Sequence, residues 1–146
     1  MARRRFLAQL AGLPFLRFVK ADETKKQLKI LMKGAWGPED PTRAAFPFSH
    51  GLVLAEAGHE VQIFLLAEAT SLVHKATAKA ILPVGWPPLS ETLEKLVAKR
   101  VPIFASGACA RARGVSESDL TEWGAKFGSP AIFVSLVEWA DRIIVE

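Results

Sequence analysis

The sequence predicts a three-layer α/β domain, flavodoxin-like in outline, with a mainly parallel sheet of about five strands. Three observations carry that prediction. Short apolar runs alternate along the chain with segments whose apolar residues recur at helical spacing. The clearest runs are apolar throughout rather than every second residue, as strands covered on both faces require. A chain of 146 residues that is 50% hydrophobic and 23% charged has the size and composition of one domain with a real core.

The elements follow in order. Leu28 to Met32 is a short apolar run ending at Gly34, and Gly34-Ala35-Trp36-Gly37-Pro38-Glu39-Asp40-Pro41 is dense in turn formers, so a buried strand and its loop are expected. Asp40-Pro41 supplies an N-cap with proline at the first helical position, and Ala44, Ala45, Phe48, Leu52 and Ala55 line one helical face until Gly58. Glu60 to Leu66 is a second strand, followed by a helix from about Ala69 to Ile81. Three prolines and a glycine make Ile81 to Leu89 an apolar loop. Ser90 is expected to cap a helix ending in Lys99-Arg100, where cations complement the dipole. Val101 to Ala105 is the third strand, and Ser106 to Gly114 its turn, a short helix and a glycine stop. Ala125 to Phe127 is a weak strand, Pro130 to Ala140 an apolar helix, and Arg142 to Val145 the last strand.

Composition excludes several classes. No apolar run reaches the ~20 residues of a membrane span. A single cysteine makes neither an internal disulfide nor a multi-thiolate zinc site. The formal charge of +4 is no nucleic-acid signal: of 19 basic residues, Arg3, Arg4, Arg5, Arg17 and Lys20 precede any acid, and the rest of the chain is nearly neutral. Residues 1–21 read instead as an export signal and 22–146 as the folded domain. Arg3-Arg4-Arg5-Phe6-Leu7 resembles the twin-arginine export motif, an apolar stretch follows, and Val19-Lys20-Ala21 offers small residues where a signal peptidase would cut. An exported, periplasmic protein is expected; the alternative is an amphipathic N-terminal helix on a cytoplasmic one.

Ligands in an open parallel sheet bind beyond the carboxyl ends of the strands. The loops there are Gly34 to Asp40, Ala67 to Ser71, Ser106 to Arg113 and Gly128 to Pro130, and only Cys109 among them is intrinsically reactive. With Ser106 as cap, Cys109 falls in a helical first turn, and Arg111 and Arg113 add cationic field, the setting of a reactive thiol. A small buried cysteine packing helix on sheet is the alternative. His50, His59 and His74 share no face by spacing and are expected to be surface or capping groups, so no metal site is assigned. Gly34-Ala35-Trp36-Gly37 is neither a dinucleotide fingerprint nor a P-loop, and no cofactor is expected. Trp86, in the proline loop, is assigned to a subunit contact or to covering the Cys109 pocket, and Trp36 joins the candidate binding residues by its loop.

The segment Val101-Pro102-Ile103-Phe104-Ala105-Ser106-Gly107-Ala108-Cys109-Ala110-Arg111-Ala112-Arg113-Gly114-Val115 resembles the signature of the DsrE/DsrF-like family of small sulfur-relay proteins, which includes the TusD-like members. The Gly-rich first loop, the Pro41 to Gly58 helix and the tail Leu136 to Val145 also fit, so the likeness covers roughly Leu28 to Glu146. It implies a DsrEFH-like α/β fold, assembly into homo-trimers or hexamers, and a cysteine that accepts sulfur as a persulfide from a donor protein and passes it to an acceptor. Family members carry cysteine eight residues before the glycine, five before it, or both. Here the earlier position is Ser106 and the later is Cys109, so a two-thiol exchange within one chain is impossible.

Two functions compete on these residues. In one, Cys109 carries sulfur, Ser106, Gly107 and the turn's backbone N–H groups hold the anion, and Arg111 or Arg113 favours ionisation. In the other, the protein is a noncatalytic oligomeric module that uses the same pocket for a small ligand or a partner protein.

Overall fold

Strand order explains where every helix lies. In the computed structural model, which describes residues 26–146, five strands form one sheet in the order β4-β3-β2-β1-β5, and all four pairings are parallel. The strands are β1 (Lys29–Gly34), β2 (Glu60–Leu65), β3 (Ile103–Ser106), β4 (Ala125–Gly128) and β5 (Arg142–Val145). The chain steps from β1 to β4 always in one direction, so right-handed crossovers put the connecting helices on one face. These are α1 (Pro41–Glu56), α2 (Lys75–Ala80), α3 (Leu89–Ala98), α4 (Gly107–Ala112) and α5 (Glu117–Glu122). From β4 the chain must return to the far edge, and the same handedness carries α6 (Pro130–Trp139) across the opposite face.

The core records that asymmetry. Ile30, Met32, Ile63, Leu65, Ile103 and Ala105 point from alternate positions into the large cluster under α1 to α5. The intervening Leu31 and Phe64 meet Leu136 of α6 in a small second cluster. Phe48 of α1 is fully buried in the large one, and cutting it back to Ala would cost about 3–5 kcal/mol.

Local chemistry sets the ends of the helices. The Asp40 carboxylate accepts from the Arg43 N–H (3.0 Å), Pro41 opens α1, and Gly58 follows its end at φ +90°. Gly34 is required by Pro47, whose Cγ lies 2.6 Å from where a Cβ at position 34 would stand.

Two expectations fail in detail. The helix expected from Ala69 to Ile81 is a 3₁₀ segment, Ala67–Val73, broken at His74 and resumed as α2. The hydroxyls of Thr70 and Ser71 donate to the carbonyls of Ala67 and Glu68 (2.8 and 2.7 Å), a local bonding that competes with the α-helical ladder. Ser90 does not cap α3: the helix begins one residue earlier, after Pro88, and Ser90 is buried. The fixed φ of proline starts this helix without a side-chain cap. The expected export signal, residues 1–21, lies outside the described residues. No described helix is long and apolar enough to cross a membrane.

Candidate functional site

The thiol of Cys109 faces the loop that follows β2. Parallel pairing of β2 with β3 brings their carboxyl ends together, so Ala67 and Glu68 stand beside the turn that carries the cysteine. Ser106 occupies the cap position of α4, yet its hydroxyl makes no capping bond. That hydroxyl, as a hydrogen-bond partner of the thiol, is the first cause holding Cys109 below its ordinary value. The backbone N–H of Ala67 is the second. Ala67 has φ +44°, a left-handed conformation that a residue with a Cβ adopts only when its surroundings impose it. Partial burial opposes the anion, the Arg113 guanidinium favours it, and the Glu68 carboxylate opposes it.

Arg113 organises this corner. Its Nη1 donates to the carbonyl of Cys109 (3.0 Å), its Nε donates to Glu68 Oε2 (2.9 Å), and its Nη2 pairs with Glu68 Oε1. The guanidinium lowers the Glu68 carboxyl, and the carboxylate raises Arg113 in return. Behind them, His74 Nε2 bonds the carbonyl of Arg113 (3.1 Å) while Nδ1 faces Asp119 Oδ1 (3.3 Å). Asp119 is held by the Ser116 hydroxyl and N–H in a capping box that opens α5, bonds that lower its carboxyl below the ordinary value.

The residues expected at one site separate into groups. Cys109 and Arg113 are four apart and share a side of α4; Cys109 and Arg111 are two apart and lie about 200° around it. Arg111 accordingly turns away from the thiol, lies against Gly107 and sits over the Phe127 ring at 5.4 Å. Trp36 stacks with Arg43 at 4.5 Å in the loop after β1. Trp86 lies against Phe46 and His50 of α1, at ring separations of 5.5 and 6.0 Å, rather than over the cysteine of its own chain. His59 accepts the Leu28 N–H and His50 bonds Glu146 (2.9 Å). Among the described residues no three His, Cys, Asp or Glu side chains cluster as metal ligands would.

Glu68 and Ala67 are the partners that residue types alone did not single out. A signal for them exists, since Ala67 to Ser71 is one of the strand-end loops and Glu68 is its one acid.

The comparisons agree with this fold. The profile of the DsrE/DsrF-like family matches residues 29–145. An uncharacterized protein of Methanopyrus kandleri is 29% identical over 115 residues, which is 79% of this chain and 88% of that protein. Among solved structures, the ychN protein from E. coli superposes with a TM-score of 0.69 at 20% identity, over 82% of this chain and all of that one. A conserved protein of unknown function from Bacteroides thetaiotaomicron superposes with 0.61 at 15% identity, over 81% and 94% of the two chains. The match to the family spans the whole sheet and the cysteine turn together, and the chain belongs to the DsrE/DsrF-like family.

Proposed function

We propose that the protein is a thiol-based sulfur carrier whose working group is Cys109. The observation that carries this reading is the place of Cys109 in the first turn of α4, with Arg113 bonded to its carbonyl, where the Ser106 hydroxyl and the Ala67 N–H favour the thiolate. The thiolate attacks the outer sulfur of a donor persulfide, R–S–SH. A Cys109–S–SH bond forms, the donor S–S bond breaks, and the donor leaves as R–S⁻. An acceptor thiolate on a partner protein then attacks the same outer sulfur and restores the Cys109 thiolate. No oxidant or reductant is consumed, and no second cysteine in the chain is needed. Ser106, standing where some family members keep a thiol, serves as the hydrogen-bond donor of the site.

Exposed apolar surface supports assembly into a homo-oligomer, a trimer or hexamer by family. Leu82, Val84 and Trp86 of the proline loop are 62%, 87% and 37% exposed, and Val53 on α1 is 61% exposed. The arginine-rich start of the chain supports export by the twin-arginine route. Cleavage and periplasmic recovery in a host with that translocase, and neither in a host without it, test the address. Intact-mass analysis after incubation with cysteine persulfide tests the carrier. Gain of about 32 Da per chain, reversed by a thiol acceptor, is expected; an unchanged mass leaves the noncatalytic binding module.

A further inference from the structure

The two arginines of the cysteine turn have different fates, and the second points to a binding site on the other side of α4. Arg113 is committed to Glu68 and to a carbonyl. Arg111 has no carboxylate or carbonyl partner among the described residues, and its guanidinium rests on Phe127 at the mouth of a cleft of about 450 Å³. That cleft opens where the topology reverses. After β3 the chain turns to one face through α4, after β4 it turns to the other through α6, and the gap lies between Ser106-Gly107 and Gly128-Ser129. Phe64, Leu66, Phe127 and Phe133 supply its apolar walls, with Phe64 and Phe133 packed at 5.2 Å, and Arg111 is its one charged lining residue. Gly128 keeps the wall in place, because a Cβ there would stand 2.6 Å from Phe64.

We propose that this cleft binds a small organic anion carrying a flat apolar group, of the arene carboxylate class. Volume and aromatic walls suit a ring system, and a planar guanidinium without a partner suits a carboxylate in two-pronged contact. The cleft borders the thiol site at Ser106, but Cys109 is not among its lining residues, and the proposal does not depend on sulfur transfer.

Titration of the full protein with 2-naphthoate, followed by amide NMR shifts, tests it. Saturable binding is expected, with the shifts centred on Gly107, Ala108, Arg111 and Gly128. Arg111→Gln should weaken binding about tenfold or more, the loss of one charge-assisted contact. The uncharged 2-naphthalenemethanol should bind the native protein as weakly as the acid binds that variant. Lys126→Gln, a surface charge control, should leave the affinity for naphthoate within about twofold. Sulfur uptake by Cys109, read by intact mass in the Arg111→Gln variant, separates failure of this site from failure of the carrier reading. Equal affinity of acid and alcohol, no effect of Arg111→Gln, shifts centred elsewhere, or no saturation at millimolar ligand would each overturn the proposal.

Discussion

Arg113 ties the backbone carbonyl of Cys109 to the carboxylate of Glu68, a residue 45 positions away in sequence on the neighbouring strand-end loop. The two partners act on the thiol in opposite senses: the guanidinium favours its anion and the carboxylate opposes it. Glu68→Gln should therefore lower the pKa of the thiol further, and Arg113→Gln should raise it. Thiolate absorbance near 240 nm, followed against pH, reads both. A shift of the same sign in the two variants would show that the pair acts on Cys109 through backbone placement rather than through charge.

Ser106→Ala removes the largest of the influences that lower the thiol. The variant keeps the fold, since the hydroxyl caps nothing. Its alkylation by iodoacetamide at pH 7 should slow by about tenfold, the lower end of what one hydrogen bond to a charged group is worth. A rate within twofold of the native one would assign the lowered thiol to the Ala67 N–H alone.

A lowered thiol also makes stability depend on pH, with a definite sign. Between the folded and unfolded values the unfolded chain binds more protons, so stability rises with pH through that window, whose upper edge is the ordinary thiol near 8.5, and is lost as pH falls through the folded value. Urea midpoints measured from pH 6 to 9 should show this rise in the native protein and lose it in Cys109→Ala. An identical profile in both proteins would contradict the site's electrostatics. Asp119 contributes lower down the scale, where stability should fall as acid protonates it and releases Ser116.

Much of this architecture was legible in the residues, and the exceptions have physical reasons. Asp40-Pro41, Gly58, the apolar strands and the closing Arg142 to Val145 segment are local signals, and each marks the element expected from it. The sequence predicts an α-helix from about Ala69 to Ile81, and its first part is instead 3₁₀, where the hydroxyls of Thr70 and Ser71 bond back to the backbone. At the site, helical spacing alone separates Arg111 from Cys109, but the hydrogen bond from Ala67 needs the order of strands, which no local pattern contains. Glu68 required the same knowledge, and with β2 beside β3 it becomes the nearest acid to look for.

The proline loop carries the prediction about assembly. Ile81 and Leu89 at its ends are buried, whereas Leu82 and Val84 between them stand in water in the isolated chain, beside Trp86, Phe46 and His50. Trp86→Ala should shift light scattering toward the 16 kDa monomer at micromolar concentration, at some cost in monomer stability because the ring also packs on Phe46 and His50. If a neighbour's Trp86 shields Cys109, alkylation should quicken in the same variant. A native protein that is monomeric at that concentration would refute the assembly, and unchanged alkylation in an otherwise dissociated variant would refute the shielding.

This turn favours the thiolate of Cys109 over the thiol, and the rate of its alkylation against pH in the native protein reads that preference. With a single cysteine in the chain, the rate reports one group without ambiguity. A sigmoidal profile is expected, with its midpoint below the free thiol's ~8.5 and measurable reaction already at neutral pH. A midpoint at or above that value, or a thiol that reacts only when the protein is unfolded, would contradict it.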